Sequence, residues 1–243
     1  MTGDMRVPVP EELRYRALRT ERTPEQVTRF RPSSWERALA FVPEACVLLR
    51  DAVLTDEVEG SELDRTVRRS VLEAHLTTLD PGDRAAVLAS FTLVVAWGAG
   101  TTNTRSLRYT PQALVDPHRA SLQLAGAVER LRADDLVGAY DGFRLPGIGQ
   151  SFATRWFALA GRAEGRDWQP LILDARVRAA LGLLGLPLYV VSGGRRSRAG
   201  GYEAYVEMLH EWAAHLEAEI PGCRAETLEW LLGEHGRAAW ARS

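Results

Sequence analysis

The sequence predicts an all-α, mainly helical protein with little or no β-structure. Residues 201–220 place Tyr205, Met208, Leu209, Trp212 and Leu216 at helical spacing. Helix-start signals recur along the chain: Ser33 with Glu36 forms a capping box, and Asp80-Pro81 sets an N-cap before a proline at the first helical position. Strand evidence is thin, confined to the β-branched run 188–191, which reads as extended.

Taken in order, residues 1–25 are polar and read as a loose N-terminal arm. The capping box opens a helix over 35–49, and Ser61 caps a helix running to Leu79. Asp80 opens the next, through Trp97, and further helices fit 119–131, 134–140, 150–160 and 174–184, with a short last one over 224–232. Residues 193–201 (GGRRSRAGG) read as a mobile basic loop, either a plain linker or a phosphate contact. There is no internal repeat.

The length of 243 residues fits one large domain or two small lobes, and we take 1–243 as a single domain. The hydrophobic fraction of 46% and charged fraction of 26% are ordinary for a globular protein. The apolar stretches 91–96 and 183–191 are too short or too broken to span a bilayer. The first residues lack a signal-peptide core. A cytoplasmic protein with no membrane partner is expected.

Cys46 and Cys223 are isolated, which excludes a CxxC site and an iron–sulfur cluster; both read as buried small hydrophobes. The five histidines follow no metal-ligand spacing, so no metal site is expected. All 30 cationic residues are arginine, and with no lysine the chain has no lysine nucleophile or Schiff-base former. The net charge of −2 argues against nucleic-acid binding. Its distribution is less hostile: residues 141–203 carry nine Arg against five acids, whereas 206–243 carry three Arg against seven Glu. Such a middle can present one positive face.

The most informative stretch is 134–184. Two short helices flank Leu145-Pro146-Gly147-Ile148-Gly149. Glycine permits positive φ and close backbone approach, and Ile148 between the glycines is placed to plug the turn into the core. The N–H groups of Gly147, Gly149 and Ser151 then face outward at a helix start, where they suit a phosphate. A tight turn between packed helices with no ligand is the competing reading. Further on, Pro170-Leu171-Ile172-Leu173 ends in Asp174, which opens a helix. Aspartate is a good cap; it is also the group that N-glycosidic cleavage asks for, a carboxylate that stabilises an oxocarbenium-like sugar and orients water. The two roles are compatible, because each carboxylate oxygen can serve its own partner.

Together these motifs resemble the helix-hairpin-helix DNA glycosylase superfamily. With VVAWGAGT at 94–101, GIGQSFATRW at 147–156 and LILDARV at 171–177, the pattern is most similar to a bacterial group with an 8-oxoguanine-glycosylase-like fold. The motifs cover about fifty residues. The resemblance implies a two-lobed helix-hairpin-helix fold, with 134–184 as the hairpin and catalytic-aspartate segment. It implies a monomer acting on double-stranded DNA by flipping a damaged or modified base, 8-oxoguanine by default, out of the duplex. Asp174 takes the place of the catalytic aspartate. Gly147, Gly149, Gln150, Ser151, Arg155 and Arg176 fall at the DNA-binding positions, and Trp97, Arg155 and Trp230 are candidates for the base pocket.

Ser151 stands where lyase-competent members carry lysine, so the resemblance implies a monofunctional enzyme that uses water and leaves an abasic site. No cofactor is implied beyond a monovalent cation that the hairpin can hold. A non-catalytic DNA-binding protein using the same hairpin, a helical interaction protein, and a glycosylase directed at modified phage bases for defence are the alternatives.

Overall fold

The structure, a computed structural model, describes residues 7–20, 23–99 and 104–240. It begins with α1 (Glu11–Leu18), β1 (Val27–Phe30), α2 (Pro32–Ala38), a 3-10 helix (Pro43–Arg50), β2 (Asp56–Val58) and β3 (Ser61–Arg68). Helices α3 (Arg69–Thr77), α4 (Arg84–Gly98), α5 (Thr104–Ala113), α6 (Pro117–Arg132), α7 (Leu136–Gly142) and α8 (Gln150–Ala160) follow. The chain ends with α9 (Ala175–Leu183), α10 (Leu188–Val191), α11 (Arg198–Leu216) and α12 (Ala225–Trp240). The protein is mainly helical, as its sequence indicates. It divides into two compact units, one from Glu25 to Gly165 and one from Arg166 onward together with the chain up to Pro24. The stretch 134–184 straddles that division. Among the described residues no helix is long and apolar enough to cross a membrane.

The unit 25–165 is built around α4. From Val87 to Trp97 every residue of this helix is buried, the signature of a helix packed on all sides. Its polar side chains are satisfied locally: the Thr92 hydroxyl donates to the Leu88 carbonyl at 3.0 Å, and the Ser90 hydroxyl lies 3.0 Å from His75 Nε2. Phe91 meets Trp156 edge-on at 5.7 Å, and the Trp156 indole donates to the Leu124 carbonyl. The helix starts later than Asp80-Pro81 suggests. Asp80 instead closes a turn by accepting the Gly82 N–H, and Asp83 caps α4 by accepting from Ala86.

The sheet is the main feature that the sequence concealed. Strands β1, β3 and β2 form an antiparallel ladder in that order, with Phe30 opposite Arg65 and Val27 opposite Arg68. Leu63, Val67 and Val71 recur at helical spacing, so 61–79 reads as one helix; pairing with β1 and β2 turns its first half into β3 and leaves α3 for the rest. Asp64, buried within β3, accepts from both Arg29 and Arg31. The helix expected over 35–49 is also divided. Helix α2 starts at Pro32 with no side-chain cap, and Pro43 breaks the run because it lacks an N–H and clashes with the preceding turn. Glu36, freed from the capping box, pairs with Arg50 at 2.6 Å. Cys46 is buried, which pushes its thiol up to about 11, with Glu36 adding to the rise; Cys223 is only half-buried.

In the other unit α12 packs against α9, α11 and α1. Residues 7–20, expected as part of a loose arm, are anchored: Leu13 and Ala17 are buried, Arg14 pairs with Glu219 at 2.8 Å, and the Trp212 indole donates to the Val7 carbonyl at 2.8 Å. Residues 1–6 lie outside the described part. The run 188–191 is a single helical turn rather than extended, because Pro187 supplies its first acceptor carbonyl. Residues 198–201 of the GGRRSRAGG segment already belong to α11, capped by Ser197.

Burial holds the His75 imidazole below its ordinary range against the pull of Asp51. The unfolded chain therefore takes up a proton first as the pH falls, and this group's contribution is complete above about pH 6.5 and lost below it. The thermal midpoint is expected to fall between about pH 7 and 5. His75→Gln should fall less over the same range; identical pH profiles would remove His75 as the source.

Candidate nucleic-acid interface and catalytic carboxylate

In the unit 25–165, α7 and α8 are joined by a turn over 143–149. Asp135 caps α7 by accepting the Gly138 N–H at 2.7 Å. The turn is held by Phe143 and Leu145, both buried, with Phe143 edge-on to Phe157 at 5.3 Å. These two residues, rather than the half-buried Ile148, plug it into the core. The reason is positional: Phe143 continues the buried side of α7, whereas the two glycines expose the backbone on either side of Ile148. Gly147 has φ +74°, and a Cβ there would lie 3.1 Å from the Tyr109 side chain and 3.2 Å from Gln112. Backbone geometry and space both call for glycine.

Gly149 caps α8 without a side chain, its carbonyl accepting from Phe152 and Ala153 at 3.1 Å. Among the described residues no acceptor takes the N–H of Gly147, Gly149 or Ser151. Those donors sit at the positive end of an eleven-residue helix. Gln150 and Ser151, in its first turn, are half-buried. Arg155 is also half-buried. Its guanidinium lies 5.3 Å from the Phe152 ring centroid and donates to the Ser151 carbonyl at 3.4 Å, and its aliphatic part lies against Gly98. Trp97 is 5% exposed, and its indole donates to the Gln26 carbonyl at 3.3 Å. It is part of this unit's interior, where α4 is covered on all sides. The neighbouring residues 100–103 are outside the described part.

In the other unit Asp174 caps α9. Its Oδ1 accepts from the N–H groups of Arg176 at 2.9 Å and Val177 at 3.1 Å, and the residue is half-exposed. The backbone that delivers it, residues 169–173, belongs to no helix or sheet. Leu171, Ile172 and Leu173 are buried, so their peptide groups need partners other than water. Side chains supply them. Tyr202 Oη donates to the Leu171 carbonyl at 2.7 Å, and Tyr205 Oη donates to the Ile172 carbonyl at 2.9 Å. The Ile172 N–H donates to the Glu229 carboxylate at 2.7 Å, and His210 Nε2 lies 3.0 Å from Gln169.

Gly236 of α12 presses against the same region. A Cβ on it would fall 2.1 Å from the carbonyl oxygen of Arg176, a backbone atom that cannot step aside. Arg176 itself projects into solvent, and Trp230 is half-buried on α12.

The sequence reading missed this clamp. A signal was present for Glu229: it sits on the same apolar stripe as Ala225, Leu228 and Leu232, where an acid needs a partner. The tyrosines gave none, since their spacing is that of ordinary core residues.

Residues 21–232 match the family described as "Putative 8-oxoguanine DNA glycosylase OGG-like protein". The chain belongs to this family. OGG-like membership carries a DNA glycosylase-type function and DNA as the partner. No curated protein and no solved structure gave a match. The region that defines this OGG-like chain contains both the Gly147 turn and Asp174.

Glu229→Ala would leave the buried Ile172 N–H unpaired. It is expected to lower stability by about 1–3 kcal/mol, read as a drop in the thermal midpoint. Glu229→Gln should recover much of that loss, because its amide oxygen still accepts. A Glu229→Ala protein as stable as the parent would show the bond to be dispensable.

Proposed function

We propose that this OGG-like protein is a monofunctional DNA N-glycosylase. It turns a damaged or modified base out of the duplex and hydrolyses the bond between that base and its sugar, with 8-oxoguanine the first candidate. The observation that carries this reading is Asp174. A half-exposed carboxylate stands at the end of a clamped backbone segment, with Oδ1 fixed by two backbone N–H groups. As the base departs, positive charge develops on the sugar. A carboxylate at that point stabilises it and orients the attacking water, which adds hydroxide to the sugar carbon while its proton passes to the carboxylate or solvent. The products are the free base and an abasic site.

The turn over 143–149 is read as the hairpin that grips the DNA backbone. Its exposed N–H groups at the start of α8 suit a phosphate without any basic side chain, which fits a chain of net charge −2. Ser151 has no amine, and the chain has no lysine to form a Schiff base with the opened sugar. Water is therefore the nucleophile, and a separate activity must process the abasic site.

Duplexes carrying a panel of bases, 8-oxoguanine first and then alkylated purines and bulky modified bases, test this reading. Base release is scored by alkaline cleavage at abasic sites. Asp174→Asn keeps the cap, since Asn serves nearly as well as Asp there. It should abolish base release while leaving DNA binding and the melting temperature close to the parent's; unchanged release would remove Asp174 from the chemistry. Gly147→Ala forces a side chain onto φ +74° and against Tyr109. It should weaken duplex binding about tenfold, the cost of losing one or two phosphate hydrogen bonds. Release of no base from any duplex, with tight binding retained, would instead favour a binding protein.

A further inference from the structure

The basic loop between α10 and α11 is not absorbed by the roles assigned so far, and its geometry points to a second DNA contact. We infer that Arg196 and Arg198 bind phosphates of the duplex, and that Tyr189 stacks on a base face exposed where the helix is opened. This rests on the glycosylase reading, which supplies the opened duplex.

The loop is folded rather than slack. Val190 donates to the Pro187 carbonyl at 2.8 Å, Ser192 to Leu188 at 2.8 Å, Gly193 to Val190 at 3.1 Å and Arg195 to Ser192 at 3.0 Å. The Ser192 hydroxyl also donates to the Tyr189 carbonyl. Successive turns thus keep Tyr189 and Arg196 in one compact element, and the Ser197 cap fixes where α11 begins. The three arginines divide into two kinds. Arg195 is committed, pairing with Glu207 at 2.8 Å and Glu203 at 3.3 Å, so it pins the loop to α11 and its charge is spent on those two acids. Arg196 and Arg198 are exposed, and among the described residues neither has an acidic side chain within ion-pair distance.

In the same loop, within nine residues of Arg196 and Arg198, Tyr189 is 79% exposed and Val190 41%, an aromatic and an aliphatic face left in water. The chain has a net charge of −2, yet no acid lies between 187 and 202 to offset them. Cations unmatched by acids seek phosphate, and an exposed ring in the same folded loop finds a partner in a base whose own neighbour has left the stack.

The test measures binding of the full chain to two labelled duplexes, one intact and one with a tetrahydrofuran abasic analogue, over a range of salt. Arg196→Ala with Arg198→Ala should weaken both complexes and reduce the slope of log affinity against log salt by about 2, at about 0.9 for each phosphate no longer neutralised. Tyr189→Ala should weaken the abasic-analogue complex about tenfold, within the range for removal of one base stack, and leave the intact duplex unaffected. Tyr189→Phe should restore it. A parent that binds and releases base, with variants matching it in slope and affinity, overturns this inference alone. Variants that weaken binding of a parent releasing no base uphold the DNA contact and overturn the glycosylase reading. A parent with no salt-dependent affinity overturns both.

Discussion

Backbone that belongs to neither helix nor sheet must find its hydrogen-bond partners elsewhere, and when it is buried side chains become a main source of them. Residues 169–173 are under this constraint, and much of the unit from Arg166 onward is arranged to meet it. Two tyrosine hydroxyls and a histidine from α11 and a glutamate from α12 are turned inward toward one short strip of chain. Each would be costly to bury alone. Together they replace the ladder that a sheet would have offered, and they fix the direction in which the chain enters α9. Gly236 extends the same logic, since only a residue without a Cβ allows α12 to lie against Arg176.

Asp174 inherits its position from this clamp. It closes the first turn of α9, so one carboxylate is both a structural cap and the candidate reacting group. A substitution that keeps the cap therefore separates the two candidate roles, whereas alanine disturbs both. The turn at Gly147 shows a related economy. There the candidate ligand-binding groups are backbone N–H donors, so the side chains around them are free to serve packing. Phe143, Leu145 and Phe157 hold the turn in place, and the donors cost no charged residue. A chain of net charge −2 without lysine can in this way offer a candidate anion site.

Elements whose signals are local were legible. The boundaries of α8, residues 150–160, follow from the glycines before it and the glycine after it, and the presence of α4, though not its start, follows from an apolar run too long for a strand. Asp174 as an N-cap followed from its place between an apolar run and a helical pattern. Elements that depend on distant partners were not. The periodicity of 61–79 fits a helix, and only pairing with residues 27–30 makes its first half β3. Residues 11–18 look like a polar arm because just Leu13 and Ala17 are buried, and the helix that α1 packs against, α12, lies some two hundred positions away. Arg195 belongs with the loop's cations by sequence, yet its charge is spent on Glu203 and Glu207.

The sequence by itself determined a mainly helical fold, the OGG-like resemblance, the glycine turn and the capping aspartate, because each rests on residues within a few positions of one another, where backbone sterics and helix-end hydrogen bonding are decided. Tertiary structure alone decided the sheet, the anchoring of α1 and the clamp of Tyr202, Tyr205, His210 and Glu229, along with the pairing of Arg195 to α11. Each of these turns on a hydrogen bond or a buried contact between residues far apart in the chain. No local pattern encodes such a pairing, because the partner's identity is set by which surfaces meet once the apolar faces have been buried.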